Sequence, residues 1–183
     1  MATVGETLRG YLREQGLPED GGADLAWVHL KVGPIPLAFP NISARRDAVR
    51  YHDVHHVVTG YQTDWAGEAE IGAWEIASGC GRYWVAWLLN SGAVGFGAVL
   101  WPRRTFCAFV RGCNTCNVYR EPYAPVLLED VAALRLRLGL EKPVPKATLR
   151  DTALYLVWIA VGLGWMVLLP LALLLASVVC FAT

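Results

Sequence analysis

Apolar and polar positions along the first 140 residues recur mostly with helical periods. Leu8, Tyr11 and Leu12 share one face of a helix predicted from about Gly5 to Gln15, and Gly16 stops it. A breaker-rich turn follows from Pro18 to Gly22. From Leu25 to Phe39 the apolar residues are interrupted by Gly33, Pro34 and Pro36. That stretch reads as irregular backbone packed on the core, with Trp27 to Val32 able to form a short strand. Asn41 or Ser43 can cap a helix that runs to about Thr59 and stops at Gly60. Asp64 caps the next helix, about Trp65 to Ser78, which Gly79-Cys80-Gly81 closes.

The uncharged stretch from Tyr83 to Pro102 is long enough to span a bilayer, yet it holds Asn90, Ser91 and glycines at 92, 95 and 97. It reads as a buried core helix or the wall of a lipid pocket in preference to a second membrane segment. After Arg103 and Arg104 the chain reads as irregular to about Pro122. Pro125 then starts a helix through Leu138, with Leu128, Val131, Leu134 and Leu138 along one side and Gly139 as its stop. Residues 141–151 contain Pro143 and Pro145 and read as a linker. From Thr152 to Thr183 no residue is charged, although Pro170 lies in mid-run. A bilayer core needs about 20 apolar residues as a helix, and membrane helices tolerate proline. The fold class is therefore all-α: a helical domain over residues 1–140, a linker over 141–151, and a single C-terminal transmembrane helix over 152–183.

Composition sharpens that picture. Hydrophobic residues make up 55% and charged residues 17% of the chain, a shift that a membrane segment imposes on a small protein. Lysine plus arginine equal aspartate plus glutamate at 16 each, so there is no basic excess and nucleic acid is excluded as a partner. Glu6, Glu14, Glu19 and Asp20 fit neither a secretory signal nor a transit peptide. Lys142, Lys146 and Arg150 precede the apolar run and hold its N-terminal side in the cytoplasm, most simply at a bacterial inner membrane. Five cysteines form no even framework. Cys113 and Cys116 have CxxC spacing, but a structural zinc needs a second such pair or two histidines nearby, so a local loop feature is the preferred reading.

The chemistry is concentrated in Tyr51-His52-Asp53-Val54-His55-His56. On a helix His52 and His56 are i and i+4 and point the same way, and Asp53 and His56 are i and i+3. Two side chains so spaced can grip one cation, and the next helix offers Glu68, with Glu75 two turns further on the same face. A solvated, arginine-flanked helix face is the plainer alternative. The histidine box of membrane di-iron hydroxylases also matches His52-x-x-His55-His56, but those enzymes use about eight histidines over several boxes and this chain has four.

The order His52-Asp53-x-x-His56, eleven residues, then Glu68 resembles the signature of the coenzyme Q biosynthesis protein 4 family. The surrounding His55-His56-Val57-Val58-Thr59-Gly60, Asp64 and Gly67-Glu68 agree. So do Asn117-Val118-Tyr119 and Leu134-Arg135-Leu136-Arg137-Leu138-Gly139, which resemble the family's closing pattern. The resemblance spans most of residues 1–140 and leaves out the C-terminal run and the Cys113/Cys116 pair. It implies an all-helical, lipid-binding fold at a membrane surface. It also implies a divalent metal, zinc before iron or manganese, held by His52, Asp53, His56 and Glu68. The implied activity in ubiquinone biosynthesis is that of a metal-dependent carboxy-lyase, an oxidative decarboxylase acting at ring carbon 1 of a polyprenylated hydroxybenzoate. Other quinone-biosynthesis enzymes are the implied partners. In that chemistry Glu68 or Glu75 can serve as ligand or proton carrier, His55 as a partner behind the ligands, and the 83–101 stretch as the wall of an isoprenoid groove. The alternative is a non-catalytic lipid-binding scaffold that organises the same enzymes at the membrane.

Overall fold

The computed structural model describes residues 2–16, 18, 20–22, 25–32 and 35–182. Glu19, Gly33, Pro34 and Thr183, which enter the sequence reading above, lie outside the described residues. The described chain is mostly helical. In order it comprises α1 (Val4–Glu14), β1 (Trp27–Val32), β2 (Ile35–Pro40), α2 (Ser43–Thr59), α3 (Trp65–Ser78), α4 (Trp84–Leu100), α5 (Pro102–Cys113), α6 (Tyr123–Leu128), α7 (Val131–Arg137) and α8 (Leu149–Ala182). Two compact units are built from alternating stretches of chain: residues 1–61, 79–86 and 115–143 in one, and 62–78, 87–114 and 144–183 in the other.

In the first unit α1 begins with a reciprocal cap, in which Glu6 N–H donates to the Thr3 hydroxyl and Thr3 N–H donates to the Glu6 carboxylate. Val4, Leu8 and Leu12 are buried, as the helical period predicts. The 25–40 stretch differs from the expected irregular backbone. Trp27–Val32 and Ile35–Pro40 pair as an antiparallel hairpin with Val32 opposite Ile35 and Trp27 opposite Pro40. A two-stranded ribbon leaves one edge of each strand unpaired, so prolines 36 and 40 fit without costing a ladder bond.

Helix α2 carries the histidines. Its Gly60 stop adopts φ 78°, the left-handed conformation in which a side chain is disfavoured. Its start differs from expectation. Ile42 is the capping residue, while the buried Asn41 side chain donates to the carbonyls of Gly22 and Leu25 and accepts from Arg45. Asn41 therefore ties the incoming chain to the preceding turn. The single helix expected over 125–138 is two. Residues 129–130 are extended, Thr3 and Asp130 form an antiparallel bridge, and Val4 N–H donates to Glu129 O. Asp130 then caps α7 by accepting from Ala133 N–H. Pairing with residues more than 120 positions away has overridden a continuous local pattern.

In the second unit α3 starts as expected, with Asp64 Oδ1 accepting from Gly67 N–H at 2.7 Å. The 102–113 segment is helical, not irregular: Pro102 presets the first turn, and Thr105, Ala108, Phe109 and Gly112 form a buried face at helical spacing. Against α3 that face comes close, because a Cβ built on Gly112 would lie 2.4 Å from Trp74 O. Helix α4 is buried along the positions expected of a core helix, including Asn90, Ser91 and Val94, but Trp84, Leu88, Leu89, Val99 and Leu100 form an exposed apolar stripe.

Helix α8 begins at Leu149 with a second reciprocal cap between Thr148 and Asp151 and continues through Pro170. Over Leu149–Leu168 it is long and apolar enough to cross a membrane, and only 17% of that stretch is buried. It crosses α4 where both helices carry small residues: a Cβ on Gly162 would lie 2.0 Å from Ser91 O, and one on Gly95 would lie 2.9 Å from Leu163 N. Trp165 Nε1–H donates to Ser91 Oγ at 2.9 Å, and the Trp87 and Trp158 rings stack at 5.3 Å. Close approach through small residues is how helices associate where water is absent.

Candidate metal centre

The i and i+4 spacing on α2 does bring two imidazoles together. The rings of His52 and His56 meet edge to face at 4.7 Å, with Nε2 to Nε2 at 3.1 Å. His56 Nδ1 lies 2.9 Å from the Tyr61 carbonyl oxygen. A carbonyl only accepts, so Nδ1 is the protonated nitrogen and Nε2 of the neutral ring carries a lone pair. That lone pair faces either an N–H from His52 or a cation held by both rings. Tyr11 of α1 stacks on the His56 ring at 5.8 Å and restrains its rotation.

Glu68 joins the pair. One ligand atom each from His52, His56 and Glu68 lie within 4.8 Å of one another; His56 is buried, and His52 and Glu68 are half-buried. This group can hold a metal ion. The donor set fits one: two nitrogens at about 2.0–2.1 Å in a tetrahedral site stand roughly 3.3 Å apart, close to the observed imidazole separation. Three protein ligands leave a position for water or substrate.

Local sequence explains how Glu68 is held. Gly67, just before it, has no room for a side chain: a Cβ there would lie 2.0 Å from Gln62 O and 2.8 Å from Gln62 N. The 62–64 turn therefore lies directly against the first turn of α3, pinned by the Asp64 cap and by Glu68 N–H donating to Asp64 O at 2.8 Å.

The remaining expected residues occupy different surroundings. Asp53 is not in the ligand cluster. A Cβ built on Gly21 would lie 2.7 Å from Asp53 Oδ2, so this carboxylate stands over the 20–22 turn, where its charge also acts on Arg45 and Tyr123. His55 is fully buried, and its Nε2 accepts from Val118 N–H at 3.3 Å. The ring packs edge-on against Tyr119 at 4.8 Å. Glu75 is fully buried and takes a hydrogen bond from the Asn90 amide.

Several supports of the site carry no signal by spacing. Arg135 donates to Val58 O at 2.6 Å, neutralising a carbonyl at the negative end of α2. Asn117 donates to Gly79 O and accepts from Tyr119 N–H, which sets Tyr119 against His55. Tyr51, Tyr83, Tyr119 and Tyr123 cluster around the outer side of α2 with ring centroids 5.2 to 5.8 Å from Tyr51, and Tyr51 Oη donates to Glu121 O. Burial, together with Tyr83 alongside, pushes the Tyr51 hydroxyl up to about 12. Residues 117–121 and Arg135 thus brace helix α2. In the second unit, burial and nearby Asp151 push the Cys113 thiol up to about 11, which disfavours the thiolate that metal binding requires.

No protein-family model, curated protein or solved structure matches this chain.

Proposed function

We propose that this chain is a membrane-attached, metal-dependent carboxy-lyase of ubiquinone biosynthesis that acts at ring carbon 1 of a polyprenylated hydroxybenzoate. The observation that carries the reading is the grouping of one ligand atom each from His52, His56 and Glu68 within 4.8 Å of one another, with His56 Nδ1 turned to the Tyr61 carbonyl and Nε2 turned to His52. The resemblance of these residues and their spacing to the family signature supplies the substrate. A divalent cation bound there, zinc or, if dioxygen is consumed, iron or manganese, supplies a Lewis acid for the substrate's carboxylate or phenolate oxygen.

The chain's own residues do the rest. Tyr61 and Tyr11 fix the orientation of His56, and Gly67 fixes the backbone that presents Glu68. His55 acts as a positioning residue, locking α2 to the 117–119 loop through Val118 N–H. Glu75, held by Asn90 within an apolar helix pair, is the candidate proton carrier for the ring carbon once carbon dioxide has left. The α4 stretch walls an isoprenoid groove, and α8 crosses the bilayer with Lys146 and Arg150 on the cytoplasmic side. Other quinone-biosynthesis enzymes are partners of such a membrane-held site.

Elemental analysis of the purified wild type beside His56→Ala and Glu68→Ala tests the reading. Stoichiometric metal in the wild type, lost from both variants together with carbon dioxide release from a polyprenylated hydroxybenzoate, is the expected result. A wild type that stays metal-free after reconstitution with zinc, iron and manganese would overturn it. The non-catalytic lipid-binding scaffold would then take its place.

A further inference from the structure

A groove of about 320 Å³ lies beside the first turns of α8, lined by Pro102, Arg103, Phe106, Thr152 and Tyr155. Its floor is aromatic: the Phe106 and Tyr155 rings meet at 5.1 Å, with Phe109 behind Tyr155 at 5.2 Å. Its rim is cationic. Arg104 is held by Glu70 at 2.5 Å, whereas Arg103 is exposed and enters no hydrogen bond or ion pair among the described residues. Lys146 and Arg150 are exposed just ahead of the groove. Asp151, at the start of α8, is buried and turned into the helix cap, accepting from Thr148 N–H.

The position of the groove along α8 identifies what fills it. Thr152, which lines it, is the first residue of the charge-free run, and Arg150 is the last basic residue before that run. In a membrane helix the last cations stand at headgroup depth. An aromatic floor with a guanidinium at its rim then meets lipid at the level where phosphate gives way to acyl chain. Arginine suits that place, because its planar fork grips phosphate with two parallel charge-assisted hydrogen bonds.

We propose that this groove seats the headgroup of an acidic phospholipid, with the phosphate on Arg103 and the glycerol and first methylenes over Phe106 and Tyr155. The proposal rests on the membrane reading of α8, not on the metal chemistry. It assigns the groove a binding role in fixing how deeply the second unit lies in the bilayer.

Native mass spectrometry of the full chain released from phosphatidylglycerol–phosphatidylcholine nanodiscs tests it. The wild type should retain phosphatidylglycerol in preference to phosphatidylcholine. Arg103→Gln should lower that retention roughly tenfold, as expected for loss of one desolvated ionic contact. Thr152→Trp, which fills the groove without removing charge, should do the same, while Arg120→Gln, remote from the groove, should not. Unchanged retention in Arg103→Gln and Thr152→Trp overturns the proposal. Equal displacement of the lipid by millimolar inorganic phosphate would reassign the site to a free anion and also overturn it. Carbonate extraction of membranes separates the two readings. A chain that resists extraction but loses no lipid on Arg103→Gln leaves the anchor standing and sinks the groove; a chain that is extracted sinks both.

Discussion

Replacing Gly67 by alanine tests how the site is built, because the glycine touches no ligand and yet sets the backbone from which Glu68 projects. A Cβ at position 67 would stand 2.0 Å from Gln62 O and 2.6 Å from Gln62 C, both backbone atoms. Ordinary carbon–oxygen contact needs more than 3 Å, so the 62–64 turn or the first turn of α3 has to move by about an ångström. That movement costs about 1–3 kcal/mol as overpacking. Disengaging the Asp64 cap, whose carboxylate accepts from Gly67 N–H itself, adds about 1 kcal/mol. Metal–ligand distances tolerate only about ±0.2 Å, so a displacement of that size forfeits Glu68 as a ligand. The expected outcome is a melting temperature lowered as for a loss of about 2–4 kcal/mol, and metal affinity lowered about 10–100-fold by competition with a chromogenic chelator. Glu68→Gln should show the same affinity loss with little change in melting of the metal-free protein. Wild-type metal affinity in a Gly67→Ala protein whose melting has fallen as expected would refute the argument that this close approach positions Glu68.

The braces of α2 give further tests. Arg135→Ala removes the hydrogen bond to Val58 O and the ion pair with Glu141, and should lower stability by about 1–2 kcal/mol in denaturant titrations while Arg135→Lys recovers part of it. Tyr51 has its hydroxyl raised to about 12 in the fold from an ordinary value near 10. The neutral phenol is therefore favoured in the folded state, so this stabilisation is complete below pH about 10 and is lost as pH rises toward 12. Tyr51→Phe should flatten that part of the stability profile, followed by phenolate absorbance alongside circular dichroism. At the α4–α8 crossing, Gly162→Leu meets Ser91 O directly and should break the Trp165–Ser91 hydrogen bond, seen as a red shift and loss of thermal protection in tryptophan emission. Ser91→Ala, which removes that bond and the one Ser91 Oγ donates to Leu88 O, should cost about 1–2 kcal/mol.

Much of the helical frame was legible because its signals are local. The Gly60 and Gly79 stops need positive φ, the Asp64 cap acts within one turn, and the Leu8–Leu12 face repeats within one helix. The rest was hidden for separate reasons. Residues 125–138 carry an unbroken helical period, but extended pairing of residues 129–130 with the chain start splits it into α6 and α7. In the 103–113 segment two arginines and a proline mask the Thr105, Ala108, Phe109, Gly112 face that packs on α3. The hairpin at 27–40 was hidden by prolines that a two-stranded ribbon accommodates at its open edges.

The same division runs through the site. The sequence by itself determined that His52 and His56 point together, since i and i+4 on a helix is fixed by backbone geometry alone. It also determined where the charge-free run begins, since charge is read residue by residue. Only the tertiary structure decided that Glu68 joins the pair while Asp53 stands over Gly21, and that His55 is spent on Val118 N–H. It alone showed that Tyr61, Arg135 and Gly67 hold the ligands in place. Those outcomes depend on contacts between segments far apart in the chain, and such contacts leave no period or spacing in the sequence to read.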